Sequence, residues 1–223
     1  MAKMLALVAA LAAAGPALSA PRCELSLLFA VDVSASISPV EYSTQIEGLV
    51  MGLNDGLIAD AIVRQNAALA LVQWSGHASQ HLSLQWTPIR GHGDLEAFRA
   101  ALLSVERAWI DQPTALGAAL DFAVGAFHSA PACDRRVVDL SGDGRSNEGI
   151  LPGSQHAALA AEGITVNALA IETDDGNLTE YYRQNVIVGE DAFVYTARSY
   201  QEFGYVMRDK LMRELAIQLV SNQ

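Results

Sequence analysis

The chain has 223 residues, of which 51% are hydrophobic, and its formal net charge is −11 at pH 7. A chain of this length and composition can bury a full hydrophobic core, and one domain is its simplest organisation. The acidic balance argues against nucleic acid or an anionic membrane as the main partner, because either would repel the protein.

The N-terminal segment has the pattern of a cleaved secretory signal. Lys3 supplies a positive start, residues 4–14 form an unbroken apolar run, and a Gly-Pro pair ends it before several small residues. This run is too short to span a bilayer comfortably. We therefore expect residues 1–20 to be a signal peptide, with an uncleaved anchor as the alternative. Residues 21–223 would form the exported domain, without membrane insertion after cleavage.

The rest of the chain alternates between strand-like and helix-like segments. Residues 25–31 are almost entirely apolar, which is typical of a strand covered on both faces. A Ser38-Pro39 pair followed by Glu41 indicates a helix N-terminus with a capping box. The expected strands are 25–31, 67–74, 80–86, 136–140, 164–171 and 192–196, and the expected helices are 39–53, 57–63, 94–109, 114–127, 152–162, 177–185 and 199–220.

This alternation predicts the fold class. Strands that alternate with helices favour an α/β fold, here a doubly wound, mostly parallel sheet of six strands with helices on both faces. Residues 75–79, between the second and third strands, form a link short enough for a hairpin. We therefore expect the third strand to be antiparallel and to lie at an edge of the sheet.

The chain contains two cysteines, Cys23 and Cys133. Each lies just before an apolar strand-like run, so their sulfurs would lie at the same end of the sheet if these strands are parallel neighbours. An even number of cysteines in an exported protein favours one disulfide. Two free buried thiols are the alternative.

Oxygen-bearing side chains follow two of the expected strands and open one helix. Asp32, Ser34 and Ser36 occupy alternate positions after the first strand, Thr114 stands at a helix start, and Asp143 lies in a glycine-rich turn after the fourth strand. In doubly wound folds, ligands bind beyond the carboxyl ends of the strands. Oxygen ligands suit a hard cation such as Mg2+ and suit zinc or copper poorly. Taken singly, each of these residues could instead be a cap or a turn residue.

These motifs together resemble the von Willebrand factor type A (vWA) domain over nearly all of the exported chain, from about residue 24 to 220. The resemblance rests on the Asp-x-Ser-x-Ser pattern at 32–36, on Thr114 followed by ALGAAL, and on VVDLSGDG at 137–144. It is similar in particular to a bacterial, secreted branch of that family whose members have no assigned function. The loop before Thr114 departs from the glycine-rich form that is frequent in the family.

The resemblance implies a vWA or Rossmann-like architecture with a metal-ion-dependent adhesion site (MIDAS). Ser34, Ser36 and Thr114 would supply hydroxyl ligands, and Asp32 and Asp143 would act largely through ordered water. The expected cofactor is a divalent cation, Mg2+ first, with Mn2+ and Ca2+ as alternatives. Two carboxylates would leave such an ion incompletely neutralised, so we expect a protein partner to present an Asp or Glu to it.

Two further titratable residues belong to this picture. Asp139 lies inside the fourth strand and is expected to be a partnered buried or edge acid, so the metal role goes to Asp143. His77 lies in the loop after the second strand, where it could contact a ligand, although an ordinary surface histidine is the alternative.

The sequence therefore predicts a secreted or periplasmic, metal-dependent protein-binding domain of the adhesion type. We expect no enzyme, because the chain lacks a G-x-S-x-G elbow, a G-x-G-x-x-G loop and a phosphate loop, and no histidine comes with an evident nucleophile. A hydrolase or another metal-dependent enzyme on the same fold is one alternative. A structural assembly domain is the other.

Overall fold

The computed structural model describes residues 22–221, with side chains described through residue 215. The expected signal peptide, residues 1–20, lies outside the described residues. The strands are β1 (Leu25–Asp32), β2 (Ala68–Trp74), β3 (Gln80–Pro88), β4 (Arg135–Gly142), β5 (Ile164–Ile171) and β6 (Val194–Ala197). The helices are α1 (Pro39–Leu53), α2 (Gly56–Arg64), α3 (His92–Leu103), α4 (Leu116–Phe127), α5 (His156–Ala161), α6 (Leu178–Asn185) and α7 (Phe203–Ser221).

The six strands form one sheet in the order β3-β2-β1-β4-β5-β6. All pairings are parallel except that of β2 with β3, which is antiparallel and places β3 at an edge. All eight residues of β1 are buried, since the strand lies in the middle of the sheet. The predicted mixed sheet with one antiparallel edge strand is confirmed.

Two hydrophobic cores cover the two faces of this sheet. Successive β1 side chains alternate between them, so that Leu27 and Phe29 join one core and Leu28 and Ala30 the other. Helices α1, α2, α3 and α7 pack on the first face, and α4, α5 and α6 on the second. The expected helices on both faces are therefore confirmed. Among residues 22–221, no helix combines the length and apolar character needed to cross a bilayer.

One predicted helix is too long. Helix α3 ends at Leu103, so the prediction of helix up to residue 109 was wrong. The side-chain amide of Gln73, in β2, binds this stretch instead: its Nε2 donates to the carbonyl oxygen of Glu106 (2.9 Å) and its Oε1 accepts from the Ala108 backbone NH (2.9 Å). Val105 still packs against the first core, which explains the helix-like apolar spacing.

The two cysteines are joined in a disulfide, with 4.6 Å between their Cα atoms. They lie just before β1 and β4, which are parallel neighbours in the sheet. The bridge closes a loop whose ends are 110 residues apart. In the chain-entropy model, such a bridge stabilises the fold by about 5 kcal/mol.

The strand order also determines where a ligand can bind. The chain leaves β1 and builds β2 and β3 on one side, then returns to place β4 on the other side of β1. The carboxyl ends of β1 and β4 therefore flank the point where the winding direction reverses. In open α/β sheets this is the position of the ligand crevice.

Candidate metal centre

The candidate site lies in the loops that follow β1 and β4. Asp32 is the last residue of β1, and Asp143 follows β4 directly. Ser36 connects the two loops, because its hydroxyl donates to Asp143 Oδ1 at 2.6 Å. The Ser34 and Ser36 hydroxyl oxygens are 3.3 Å apart. Four of the five predicted ligand residues thus form one contiguous group.

Asp32 is fully buried at the base of this group. Its Oδ1 accepts a hydrogen bond from the Ser34 backbone NH (2.7 Å), which folds the loop back over the strand end. Its Oδ2 is buried and has no hydrogen-bond partner within residues 22–221. Burial, and then the neighbouring charge of Asp143, raise the pKa of Asp32 to about 7.

Asp143 is 8% exposed and is held on both oxygens. Besides the Ser36 bond to Oδ1, the Tyr200 hydroxyl donates to Oδ2 at 2.9 Å. Burial raises the pKa of this carboxyl as well. Sequence reasoning missed Tyr200, since it lies just before α7 and far from any motif.

Thr114 lies beside the same group. A methyl group placed on the Cα atom of Gly144 would be 3.6 Å from Thr114 Oγ1, so the threonine hydroxyl faces the turn that carries Asp143. Asn147 holds the threonine backbone there, accepting from the Thr114 NH on its side-chain oxygen and donating its own NH to the Thr114 carbonyl oxygen, both at 2.9 Å. The role of Asn147 was also missed, because it depends on a contact between distant segments.

The loop before Thr114 contains no glycine at residues 111–113 and still brings Thr114 to the site. Asp111 adopts a left-handed backbone conformation with φ of 57°, which aspartate tolerates better than most residues. The carbonyl oxygen of Gln112 then accepts from the Ala35 NH at 2.8 Å, tying this loop to the loop after β1. All three predicted segments therefore meet at one edge of the sheet.

The remaining two predictions concern His77 and Asp139. His77 is exposed in the β2–β3 loop, and its backbone NH donates to Glu148 Oε2 at 2.6 Å. Within the described part of the chain, its ring makes no hydrogen bond to the five candidate ligands. Asp139 is buried in β4 with Lys210 Nζ at 2.6 Å, so its assignment as a partnered acid is confirmed.

The residues present fit a divalent cation. Two buried carboxylates and three hydroxyls converge, one carboxylate oxygen has no donor, and among residues 22–215 no lysine or arginine side chain forms an ion pair with either acid. No cluster of three or more His, Cys, Asp or Glu side chains suited to a metal occurs in the described residues, so the donor set here consists of hydroxyl and carboxylate oxygens. Such a set favours hard cations.

Gly142 shapes the floor of this site. A methyl group on its Cα atom would lie 2.6 Å from the Tyr182 hydroxyl and 2.9 Å from Asp32 Oδ2. Both distances are shorter than van der Waals contact, so the position is open only to glycine without rearrangement. The absence of this side chain leaves room next to the unpartnered oxygen of Asp32.

Comparison with known proteins agrees with this architecture. Residues 22–219 match the family described as "Protein of unknown function (DUF1194)". No curated protein shows significant sequence similarity to the chain.

Several solved structures have the same fold at low sequence identity. Proximal thread matrix protein 1 from the mussel byssus is 21% identical with a TM-score of 0.68, over 87% of this chain and 48% of that one. A second structure of it, described as having a zinc-occupied MIDAS motif, is also 21% identical, with a TM-score of 0.61 over 88% and 47%. The pilus adhesin SpaC from Lactobacillus rhamnosus GG is 13% identical, with a TM-score of 0.60 over 86% and 30%.

A von Willebrand factor type A protein from Catenulispora acidiphila is 16% identical, with a TM-score of 0.60 over 86% of this chain and 43% of that one. The chain spans about half the length, or less, of these proteins. Together they show that its fold is that of a vWA domain.

Proposed function

The chain belongs to the DUF1194 family and has the vWA fold, and we propose that it is an exported, metal-dependent protein-binding domain and not an enzyme. The observation that carries the proposal is a pair of buried carboxylates, Asp32 and Asp143, neither of which forms an ion pair with a lysine or arginine side chain of residues 22–215. Buried charges of one sign are costly unless a counter-charge is present. The site therefore calls for a cation from outside the protein.

We assign the metal-holding role to Asp32, Ser34, Ser36, Thr114 and Asp143. When bound, a divalent cation would supply the positive charge that the two carboxylates lack and a position open to an acidic oxygen. Mg2+ is the first choice on the chemistry of the donors, and the zinc-occupied motif of the mussel protein adds Zn2+ to the ions worth testing. Mn2+ and Ca2+ are the other candidates.

The surroundings of the site are suited to a protein partner that presents an Asp or Glu. Four large apolar side chains in the loops and the helix start at this edge are exposed: Val40, Ile110, Ile150 and Leu151. Apolar side chains around a polar centre are typical of protein interfaces. The adhesion and matrix proteins with the same fold support this assignment, and with the disulfide they support an exported location.

Metal-dependent stability tests the proposal directly. At a free ion concentration a hundred times the dissociation constant, binding stabilises the folded state by about 2.7 kcal/mol, which raises the melting temperature of a domain of this size by roughly 5–10 °C. We expect this shift with Mg2+ in thermal melts of the exported chain and its loss on chelation. Asp32→Asn should remove the shift and still fold, because an uncharged isostere replaces a buried charge.

The control is Asp121→Asn, which changes an exposed acid of α4 and should keep the full shift. A wild-type melt that is the same with each of the four ions and with chelator would contradict the metal assignment. So would an unchanged shift in Asp32→Asn.

Partner binding needs a second experiment. We expect a pull-down from the exported protein fraction to retain a partner with Mg2+ and to release it with chelator or with a short aspartate-containing peptide. Assays for ester, peptide and phosphoester hydrolysis should show no turnover that depends on Asp32. Metal-dependent turnover abolished by Asp32→Asn would favour the enzyme alternative instead.

A further inference from the structure

A small cavity of about 200 Å³ lies at the edge of the sheet opposite the candidate metal centre. Arg135, the first residue of β4, and Thr165, near the start of β5, line it from the sheet. Glu214 of α7 lines it from the helix side, and Glu190 from the loop before β6. The cavity shares no residue with the candidate metal centre, so nothing below depends on the proposed function.

Glu214 is 1% exposed, and only one of its two carboxylate oxygens is used by the protein. Oε1 accepts from Lys210 Nζ (2.7 Å) and from Asn167 Nδ2 (3.1 Å). Oε2 is buried and has no partner in the part of the chain that the structure describes. A buried carboxylate oxygen without a donor is costly, so Oε2 is a position at which a ligand can gain a strong hydrogen bond.

Arg135 presents the complementary group. Its Nη2 donates to the carbonyl oxygen of Glu214 at 3.1 Å, which fixes the guanidinium beside the glutamate. Its Nη1 is buried and, within residues 22–215, has no acceptor. One cavity is therefore lined by a carboxyl group with one oxygen that has no hydrogen-bond partner and by a positive side chain with one nitrogen that has no acceptor.

The acids that line the cavity favour a ligand with a positively charged group. Glu190 and Asp191 are exposed and line the cavity together with Arg135 and Glu214. Glu214 is paired with Lys210, so the two exposed acids carry the excess negative charge that makes the opening attractive to a positively charged group. A cavity of this volume holds a ligand of about eight heavy atoms, since one of about 150 Å³ holds benzene.

From this pairing we propose that the cavity binds a small zwitterion of the α-amino acid class. Its ammonium group donates to Glu214 Oε2, and its carboxylate accepts from Arg135 Nη1. A zwitterion satisfies both groups with charge-assisted hydrogen bonds, which are stronger than those of a neutral hydroxyl compound. A lone cation or a lone anion satisfies only one of them.

Calorimetric titration of the full exported chain with glycine tests this assignment, with chelator present so that no metal at the other edge contributes. We expect saturable binding of glycine and at least tenfold weaker binding of methylammonium and of acetate, each of which lacks one charged group. Ethylene glycol tests the neutral alternative. The proposal is overturned if glycine shows no saturable binding, which would leave water as the only occupant. It is also overturned if ethylene glycol, methylammonium or acetate binds as tightly as glycine.

Variants locate the binding in this cavity. Arg135→Gln should lower glycine affinity at least tenfold, and the double variant Glu190→Gln/Asp191→Asn should lower it several-fold. The double variant changes only exposed residues, so it keeps the test decisive if Arg135→Gln does not fold. Asp121→Asn on the other face of the sheet is the matched control and should bind like wild type. Wild-type affinity in the folded double variant, or in folded Arg135→Gln, overturns the assignment.

Discussion

Asp139 and Glu214 lie on either side of Lys210, whereas Asp32 and Asp143 are held only by hydroxyl and backbone groups. In the first pair, Lys210 Nζ is 2.6 Å from Asp139 Oδ1 and 2.7 Å from Glu214 Oε1, and all three side chains are buried. In the second pair the donors are serine, tyrosine and backbone NH groups. Both pairs are buried beside the same sheet, so they differ in charge balance and not in depth.

This difference shows two ways in which one protein accommodates the electrostatic cost of burying a pair of carboxylates. On the α7 side of the sheet, one lysine from the chain itself contacts both acids and offsets one negative charge, and this contact ties the last helix to β4. The carboxyl edge of β1 and β4 keeps its acids without a basic partner in the described residues, which leaves them for a cation from solution. The first arrangement is structural, and the second supports a binding role.

Removing the internal cation should have the largest effect. Lys210→Met leaves two buried acids without their cation, and breaking a buried ion pair on one side typically costs about 3–5 kcal/mol. Urea denaturation at neutral pH should show this loss in the free energy of unfolding. Arg183→Met breaks an exposed pair with Glu180 and should cost less than about 1 kcal/mol. Equal effects of the two substitutions would remove the distinction between the buried and the exposed ion pair.

The pH dependence of stability should reveal the same cluster. Burial, and then the charge of Asp139, raise the pKa of Glu214 to about 7 from its ordinary value of 4.5, although Lys210 opposes the shift. The folded state therefore holds a proton that the unfolded state has lost, so this contribution is full below about pH 4.5 and disappears as the pH rises through 7.

We expect the stability of the chelated protein to fall between pH 5 and 8, less steeply in Glu214→Gln than in wild type. Denaturation series at several pH values measure both slopes. Glu47→Gln changes an exposed acid of α1 and should keep the wild-type slope. Identical slopes in wild type and Glu214→Gln would contradict the assignment.

Filling the floor of the candidate metal centre should have an intermediate effect. Gly142→Ala places a methyl group against the Tyr182 hydroxyl and Asp32 Oδ2, and overpacking of this kind costs about 1–3 kcal/mol. We also expect it to reduce the Mg2+-dependent melting shift. Gly125→Ala in α4 is the matched control, because its added methyl group meets no atom within 4 Å and alanine favours the helix. A Gly142→Ala protein with wild-type stability and metal response would refute the role of this glycine.

The smallest expected effect concerns the hydroxyl that holds Asp143. Tyr200→Phe removes one donor to Oδ2 and leaves the Ser36 bond in place, which should cost about 1 kcal/mol. It should also weaken Mg2+ binding, as measured by titration, because Asp143 becomes less well oriented. Tyr205→Phe, at an exposed tyrosine of α7, should change neither quantity. Unaltered metal affinity in Tyr200→Phe would confine the tyrosine to a packing role.

Much of the fold was predictable from local patterns. The apolar run of β1 indicated a central strand, the short link after β2 indicated a hairpin, and the positions of Cys23 and Cys133 before two parallel strands indicated the disulfide. The expected end of α3 was wrong because Gln73, distant in sequence, binds the backbone that would have continued the helix. Hydrophobic periodicity predicts which residues face a core. It does not predict which distant side chain forms hydrogen bonds with the backbone of a segment.

The same division applies to the candidate site. By itself, the sequence determined the alternation of strands and helices and the three segments that carry Asp32, Thr114 and Asp143, since these follow from local spacing. Only the tertiary structure decided that Tyr200 and Asn147 hold those segments together and that Lys210 forms ion pairs with one pair of buried acids and not with the other. The physical reason is that hydrogen bonds and ion pairs between distant residues depend on the path of the folded chain, which local sequence patterns do not encode.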